Sequence, residues 1–432
     1  MTWSKTVDEF LGEWQNGTGW YVYPTKRFKT VTIYAAWIRE LEPSARARGA
    51  LLPHVLRRGT RAWPTRVLME QQLESLYGAS FRADVGKLGD KQLLSFHITV
   101  VNGQFLPEHP DTVAAALDFL TEVLDHPQLV DGRFPDEVVD QEKELIKRQI
   151  SALINDKGQY ALSRLIELVA DGQRFGLKKL GTPQEIDQVS GDLLVDFLNE
   201  NRQESPFVFA VVGDVDPDRI QKHMAERWGR GDRRPLTTIQ PYTGRHDRNT
   251  VVERQDVRQG KLNLAFRTNI TAKDPQYPAL VMYSGILGGF SHSKLFLNVR
   301  EKASLAYYAY SRIDPAVALM IIGAGIEFDD YEAARRIIEE QVEAMRAGQF
   351  SPEEMAFTLK AYTNDVLSEE DNPGQLIGRQ LEQLLIGGGL SGPQLIDALG
   401  RVTSAEIVEV AKQVELDTVY FLTSEGDERH GG

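Results

Sequence analysis

The sequence contains no cysteine among its 432 residues. This absence excludes disulfide bonds and thiolate metal sites, and it favours a reducing compartment. Apolar runs are interrupted within about ten residues, whereas a helix that crosses a bilayer needs about 20. The N-terminus also lacks the apolar stretch that is typical of a secretion signal. We therefore expect a cytoplasmic protein that does not bind membranes.

Positive charge is also scarce, because 49 lysines and arginines face 62 acidic residues and leave a net charge of −13. No basic block stands out, so nucleic acid is not an expected partner. Histidine occurs only eight times, and no histidine has another three or four residues further on, as a helical pair of metal ligands would require. The eight are His54, His97, His109, His126, His223, His246, His292 and His430.

The most informative segment is residues 49–60, which read G-A-L-L-P-H-V-L-R-R-G-T. It resembles the zinc helix of the pitrilysin/insulinase peptidases, the inverzincins, in which H-x-x-E-H precedes a G-T pair. In that motif the two histidines bind zinc and the glutamate activates water. Counted back from the G-T pair, the three positions are Ala50, Pro53 and His54. The resemblance therefore implies a degenerate zinc motif in which one ligand of two remains.

The third zinc ligand of these peptidases lies seven residues after another acidic residue on a later helix. Glu142 begins the matching stretch here, E-K-E-L-I-K-R-Q, and the ligand position holds Gln149, whose neutral amide is a poor zinc ligand. Proline cannot act as a general base and costs about 3 kcal/mol inside a helix, so the local helix is expected to be short and to begin near Pro53. His54 is then either a packed or solvated histidine or a remnant ligand without partners.

A second motif occupies residues 288–307, G-G-F-S-H-S-K-L-F-L-N-V-R-E-K-A-S-L-A-Y. It is similar to the C-terminal motif of the same family, a glycine-rich segment followed by L-F and R-E-x-x-x-L-x-Y. The resemblance implies that Arg300 and Tyr307 contact the substrate backbone and the oxyanion at a zinc site. It also implies that Gly288, Gly289 and Phe290 bind substrate. Without the resemblance, the same residues would form an ordinary amphipathic helix with a solvated end.

The chain also contains an internal repeat. P-Q-E-I-D at 183–187 recurs as P-Q-L-I-D at 393–397, and F-P-D-E at 134–137 has a counterpart in F-S-P-E-E at 350–354. Two matches in the same order and at nearly one spacing indicate duplicated domains. We predict an α+β fold with two homologous domains, each a mostly antiparallel sheet packed with helices. The resemblance implies that the two domains face each other around a chamber.

The polar segment 229–249 contains two prolines and separates the repeats, so we predict domains at 1–228 and 250–432 with a linker between them. Period-two and β-rich patterns predict strands at 30–38, 93–101, 262–270, 307–313 and 318–326. Helical periodicity predicts helices at 111–124, 135–155, 331–346 and 352–367. Capping boxes are expected to begin at Thr182, Ser351 and Thr403.

The resemblance extends to the bacterial non-catalytic members of the family that occur beside an active H-x-x-E-H chain. It implies a non-catalytic subunit of a heterodimeric zinc metallopeptidase that cannot cleave peptides by itself. Arg300 and Tyr307 would complete the partner's site, the substrate would be an unfolded peptide, and zinc would belong to the partner alone. Whether the chain forms a homodimer without that partner is left open.

A second hypothesis is a scaffold that holds a peptide or protein in an empty chamber without any role in catalysis. An independent hydrolase finds little support, since the sequence has neither a cysteine nucleophile nor a G-x-S-x-G motif.

Overall fold

The computed structural model describes residues 9–228, 233–244 and 249–425. Residues 229–232 and 245–248 of the predicted linker therefore lie outside the described residues. The chain divides into two compact units, each assembled from three segments. The first unit comprises Met1–Ser151, Leu177–Thr237 and Asp371–Leu381, and the second comprises Ala152–Gly176, Thr238–Glu370 and Glu382–Gly432.

The first unit contains a six-stranded sheet. Its strands are β1 Leu11–Gln15, β2 Thr18–Pro24, β3 Thr30–Glu40, β4 Ser80–Leu88, β5 Lys91–Val101 and β6 Phe207–Gly213. Their order across the sheet is β1-β2-β6-β3-β5-β4. The pair β2 and β6 is parallel, and the other neighbours are antiparallel.

The second unit contains a five-stranded sheet. Its strands are β7 Asn249–Gln255, β8 Gly260–Arg267, β9 Ala306–Asp314, β10 Leu319–Ile326 and β11 Glu415–Ser424. Their order is β7-β11-β8-β10-β9, with β7 and β11 parallel and the other pairs antiparallel.

The two sheets have the same connectivity. If β1 is set aside as an extra edge strand, the order β2-β6-β3-β5-β4 in the first sheet corresponds to β7-β11-β8-β10-β9 in the second. In each sheet the last strand, β6 or β11, lies beside β2 or β7 and runs parallel to it. The parallel pair therefore occupies the same position in both sheets. Two mostly antiparallel sheets with one topology confirm the predicted fold class and explain the repeat in the sequence.

Helices cover these sheets. In the first half of the chain they are α1 Arg46–Leu56, α2 Arg66–Ser75, α3 Thr112–Asp125, α4 Asp136–Asn155, α5 Lys157–Ala170, α6 Pro183–Asp187, α7 Gly191–Glu204 and α8 Pro217–Trp228. In the second half they are α9 Tyr277–Ser284, α10 Tyr331–Arg346, α11 Pro352–Glu370, α12 Pro373–Ile386, α13 Gly392–Leu399 and α14 Ser404–Gln413. None of the described helices is long and apolar enough to cross a membrane.

The side chains that form the two cores alternate along the strands. In β5, Leu94, Phe96 and Ile98 all belong to the core of the first unit, because side chains two residues apart point to the same face. The second unit repeats this pattern in β8, where Leu262 and Leu264 lie in its core. The long helices place one apolar stripe against each sheet, which is the usual way for such a helix to stabilise a layered domain.

The helix starts follow the sequence closely. The three predicted capping boxes, at Thr182, Ser351 and Thr403, are present with both of their reciprocal hydrogen bonds. A further box joins Ser391 to Gln394, in the second copy of the P-Q-x-I-D repeat. The two copies of that repeat therefore begin equivalent helices, α6 and α13, through the same local contacts.

Candidate functional site

The degenerate zinc motif lies on α1, which runs from Arg46 to Leu56 and contains Pro53 in its interior. The expectation of a short helix beginning near Pro53 is therefore wrong. The proline removes only the bond that its own amide would have donated to Gly49, and it sits in the last turn. Burial of Leu51, Leu52 and Leu56 in the core offsets that loss, so packing overrides local propensity here.

Gly49 and the neighbouring turn of α1 are held by Gln92 from β5. The Gln92 amide donates to the carbonyl of Arg46 at 3.0 Å and to that of Lys179 at 2.7 Å. A Cβ at position 49 would come within 2.1 Å of the Gln92 side chain, so only glycine allows this approach. The neutral amide of Gln92 thus anchors this turn of the helix.

His54 is buried on α1, with 6% of its surface exposed. Its Nε2 atom lies 3.8 Å from an oxygen of Asp84 on β4 and has no hydrogen-bond partner. Burial lowers the pKa of His54 to about 4, helped by the charges of Arg57 and Lys179, while Asp84 acts in the opposite direction. His54 is therefore neutral at physiological pH and packs as a core side chain.

Glu142 on α4 is the most deeply buried carboxylate next to this helix, with 1% of its side chain exposed. The Arg58 Nε atom, just past the end of α1, lies 2.6 Å from Glu142 Oε1. The same guanidinium donates to the side chain of Gln141 at 2.9 Å. A buried charge is tolerated only when it is paired, so this ion pair determines how the two helices meet.

The remaining positions of the degenerate zinc motif differ in their location and burial. Ala50 and Pro53 are buried on α1, whereas Gln149 is exposed on α4. The structure thus places three of the four positions on one helix and the fourth in solvent. Within residues 9–228, 233–244 and 249–425, no group of three or more histidine, cysteine or acidic residues is placed so that it could hold a metal ion.

The second motif begins with two π-helical segments, Gly285–Gly289 and Phe296–Lys302. Such segments are rare and occur frequently at functional sites. Gly288 is packed against β9, because a Cβ there would lie 2.4 Å from the backbone nitrogen of Ser311. Gly289 is exposed, and its nearest neighbour would be 3.4 Å from an added Cβ. Of the two glycines, Gly288 is thus fixed by the fold, while Gly289 is free to face a ligand.

Phe290 is half-buried in an aromatic cluster that the sequence did not indicate. Its ring lies parallel to that of His292, at 5.4 Å between centroids, and edge-on to that of Tyr362 at 4.8 Å. His292 also shares a hydrogen bond of 3.1 Å with Thr358 on α11. These contacts fix the end of the glycine-rich segment before the Arg300 helix begins.

Arg300 lies on the second π-helical segment with 43% of its side chain exposed. Its guanidinium is 4.6 Å from the centre of the Phe296 ring and 3.7 Å from the carboxylate of Glu301. The ring covers one face of the guanidinium, an arrangement worth about 0.5–1 kcal/mol at an exposed site. The guanidinium edge therefore remains accessible to an anionic or carbonyl group from outside.

Tyr307 follows at the beginning of β9 and is 64% exposed. Its hydroxyl donates to Glu327 Oε1 at 2.9 Å. This hydrogen bond raises the pKa of Tyr307, so the phenol stays protonated over the physiological range. Both polar residues of the motif thus lie on the surface of the second unit.

Comparisons with known proteins agree with the two motifs. A family profile described as "Peptidase M16 inactive domain" matches residues 188–362. The chain is 34% identical to the "Probable inactive metalloprotease YmfF" of Bacillus subtilis, over 93% of this chain and 95% of that one. The chain belongs to the M16 peptidase family. It is also 21% identical to the "Uncharacterized zinc protease YmxG" of Bacillus subtilis, over 93% and 94% of the two chains.

The fold agrees with the same family. A conserved protein from Enterococcus faecalis superposes on this M16 chain with a TM-score of 0.88 and 29% identity, covering 97% of this chain and all of the other. The resemblance predicted from the two motifs is thus confirmed.

Zinc, the metal of the active M16 peptidases, does not fit the side chains at the four positions of the degenerate zinc motif. A zinc site needs about four nitrogen, sulfur or oxygen donors close together. Ala50 and Pro53 offer none, Gln149 is an exposed neutral amide on another helix, and His54 is the one imidazole left in the motif. This M16 chain is therefore a metalloprotease-like protein of the inactive type, as the matched domain description and the YmfF relative indicate.

Proposed function

We propose that this chain is the non-catalytic subunit of a heterodimeric M16 metallopeptidase. Its partner is a chain of the same family with an intact H-x-x-E-H motif, which holds the zinc ion and the general base. This chain contributes Arg300 and Tyr307 to the partner's site and part of the surface that binds an unfolded peptide. The proposal rests on the contrast between a first motif that keeps only His54 among its metal ligands and a second motif with its polar residues in place.

The exposure of Arg300 and Tyr307 carries this proposal. Both polar groups keep the seven-residue spacing of the family motif, and both are exposed, so a partner chain or a bound peptide can contact them. A fixed cation beside a developing oxyanion stabilises the transition state of acyl transfer, and one such donor is typically worth about 10²–10³ in rate. The occurrence in one species of an inactive-type relative and a zinc protease relative agrees with such a division of labour.

The test is reconstitution with an M16 chain that carries H-x-x-E-H and an unstructured fluorogenic peptide. We expect the mixture to cleave the peptide faster than the H-x-x-E-H chain alone. Arg300→Ala should lower that gain by about 10², because the lost cation acts only in the transition state. Tyr307→Phe removes a single hydroxyl and should lower the gain by about tenfold.

Matched controls are available on the same chain. Arg336→Ala removes an arginine that is 68% exposed and paired with Glu340. Tyr77→Phe removes the hydroxyl of a tyrosine that is 49% exposed in the first unit. Both controls should leave the gain unchanged. If the complex forms and cleaves the peptide equally well with all four variants, the chain acts as a scaffold and the proposed role of Arg300 and Tyr307 is wrong.

The scaffold hypothesis, in which the chain binds a peptide or protein without supporting catalysis, is the second candidate. It predicts binding without any gain in rate, so the same experiment separates the two. The domain boundaries at 1–228 and 250–432, the role of Gly288, Gly289 and Phe290 in binding peptide and a cytoplasmic location also stay predictions.

A further inference from the structure

The bond between Tyr307 and Glu327 is set up by an irregularity in the sheet. Where β9 pairs with β10, Tyr308 lies opposite Gly325 and Ala306 lies opposite Ile326. Tyr307, between these two residues, therefore has no residue opposite it on β10. This is a β-bulge, in which one strand carries an extra residue. Bulges of this kind often re-aim a side chain beside a functional site.

The bulge changes the face to which Tyr307 points. Further along β9, Ala309 lies in the core of the second unit, and Ser311 is buried against Ser284. Uninterrupted alternation would therefore place residue 307 in the core and residue 306 outside. The extra residue reverses this order, so Ala306 joins the core and Tyr307 is exposed.

Glu327 follows β10 directly and is the group that receives the re-aimed side chain. It precedes the short 3₁₀ helix Phe328–Asp330, but its carboxylate does not cap that helix. The Tyr307 hydroxyl donates its single hydrogen to this carboxylate at 2.9 Å. The lone pairs of the phenol oxygen are then left for a group from outside, and a peptide N–H is a suitable donor.

We propose that Glu327 is a positioning residue that fixes Tyr307 as an acceptor for a backbone N–H of the bound peptide. This inference rests on the proposed function, because it assigns a role to the same surface. The physical basis is that an exposed tyrosine otherwise samples several rotamers, and a group that is misplaced by about 1 Å at a reacting centre can cost about 10² in rate. Arg300 would then be the group that faces the oxyanion.

The test combines a spectroscopic and a kinetic measurement on the full chain. The pKa of Tyr307 is followed by NMR of ¹³C-labelled tyrosine, and its signal is identified among those of the 14 tyrosines by its loss in Tyr307→Phe. Glu327→Ala should lower that pKa, because the charge-assisted bond is lost. Glu327→Gln keeps an acceptor but loses the charge, so it should also lower the pKa.

In the reconstituted complex, Glu327→Ala should reduce the gain in kcat/KM by about tenfold. Glu327→Gln, which keeps a hydrogen-bond acceptor, should retain most of the gain. The double variant with Tyr307→Phe should be no worse than Tyr307→Phe alone, since both changes disrupt one contact. Glu340→Ala, at an exposed glutamate on α10, is the control and should have no effect.

The outcomes separate the two claims. If Tyr307→Phe lowers the activity of the complex while Glu327→Ala does not, Glu327 has no positioning role and the proposed function stands. The same conclusion follows if the losses of the two single variants multiply in the double variant. An unchanged pKa of Tyr307 in Glu327→Ala would also overturn the positioning role. If Tyr307→Phe has no effect, the proposed function fails and the role of Glu327 fails with it.

Discussion

Arg58 Nε lies 2.6 Å from Glu142 Oε1, and this ion pair joins the end of the degenerate zinc helix to the helix that would carry the third zinc ligand. The carboxylate is almost fully enclosed, so the guanidinium supplies the charge that makes its burial possible. The two residues are 84 positions apart in sequence, and their ion pair joins the end of α1 to α4.

The first prediction concerns this pair. Arg58→Ala leaves an enclosed carboxylate without its partner and should lower the free energy of unfolding by about 3 kcal/mol. Glu142→Gln leaves no negative charge behind and should cost less. Urea unfolding followed by circular dichroism measures both changes, and Arg66→Ala, at an exposed pair with Glu70, is the control. An Arg58→Ala variant as stable as that control would contradict the assignment.

The second prediction concerns His54. Its pKa is lowered to about 4, so between about pH 4 and 6.5 the unfolded chain binds a proton that the folded chain does not. This difference makes stability fall as the pH is lowered through that window. His97, whose pKa burial also lowers to about 4, contributes in the same sense.

His54→Gln should therefore make the stability less dependent on pH between 4 and 6.5, while His109→Gln, at an exposed histidine, should not. Chemical unfolding at several pH values measures the slope. A slope that is the same in both variants would show that His54 titrates normally.

The third prediction separates the two glycines of the second motif. Gly288→Ala would place a Cβ 2.4 Å from the Ser311 nitrogen and should destabilise the second unit by about 1–3 kcal/mol. Gly289→Ala meets its nearest atom at 3.4 Å and should be tolerated. Thermal unfolding compares the two variants directly, and equal melting temperatures would contradict the packing described for Gly288.

The fourth prediction is that Arg300→Ala and Tyr307→Phe leave the fold intact. Both side chains are exposed, and exposed interactions contribute little to stability. Each variant should unfold within about 0.5 kcal/mol of the wild type. A large loss of stability in either variant would mean that its side chain serves the fold rather than a partner.

Local signals in the sequence predicted a good part of this fold. The capping boxes at Thr182, Ser351 and Thr403 were predictable because all of their hydrogen bonds lie within four residues. The five predicted strands correspond to β3, β5, β8, β9 and β10, although β8 ends at Arg267 and not at residue 270. The repeat was predictable from the P-Q-x-I-D pentapeptides. The predicted strand at 307–313 is present as β9, which begins one residue earlier.

Long-range features were not predictable from the sequence. The helix through Pro53 required knowledge of what α1 buries, since propensity alone favours ending it there. The bonds from Arg58 to Glu142 and from Tyr307 to Glu327 join residues that only the tertiary fold brings together. The bulge at Tyr307 was not predictable, because the sequence A-Y-Y-A-Y has no glycine or other residue that marks it.

The zinc content of the purified chain tests the central claim most directly. Elemental analysis after dialysis against a weak chelator should give close to zero zinc for this chain alone, and about one zinc for each complex with an H-x-x-E-H chain. About one zinc in this chain alone would contradict the account, because His54 and other donors would then have to form a metal site of their own.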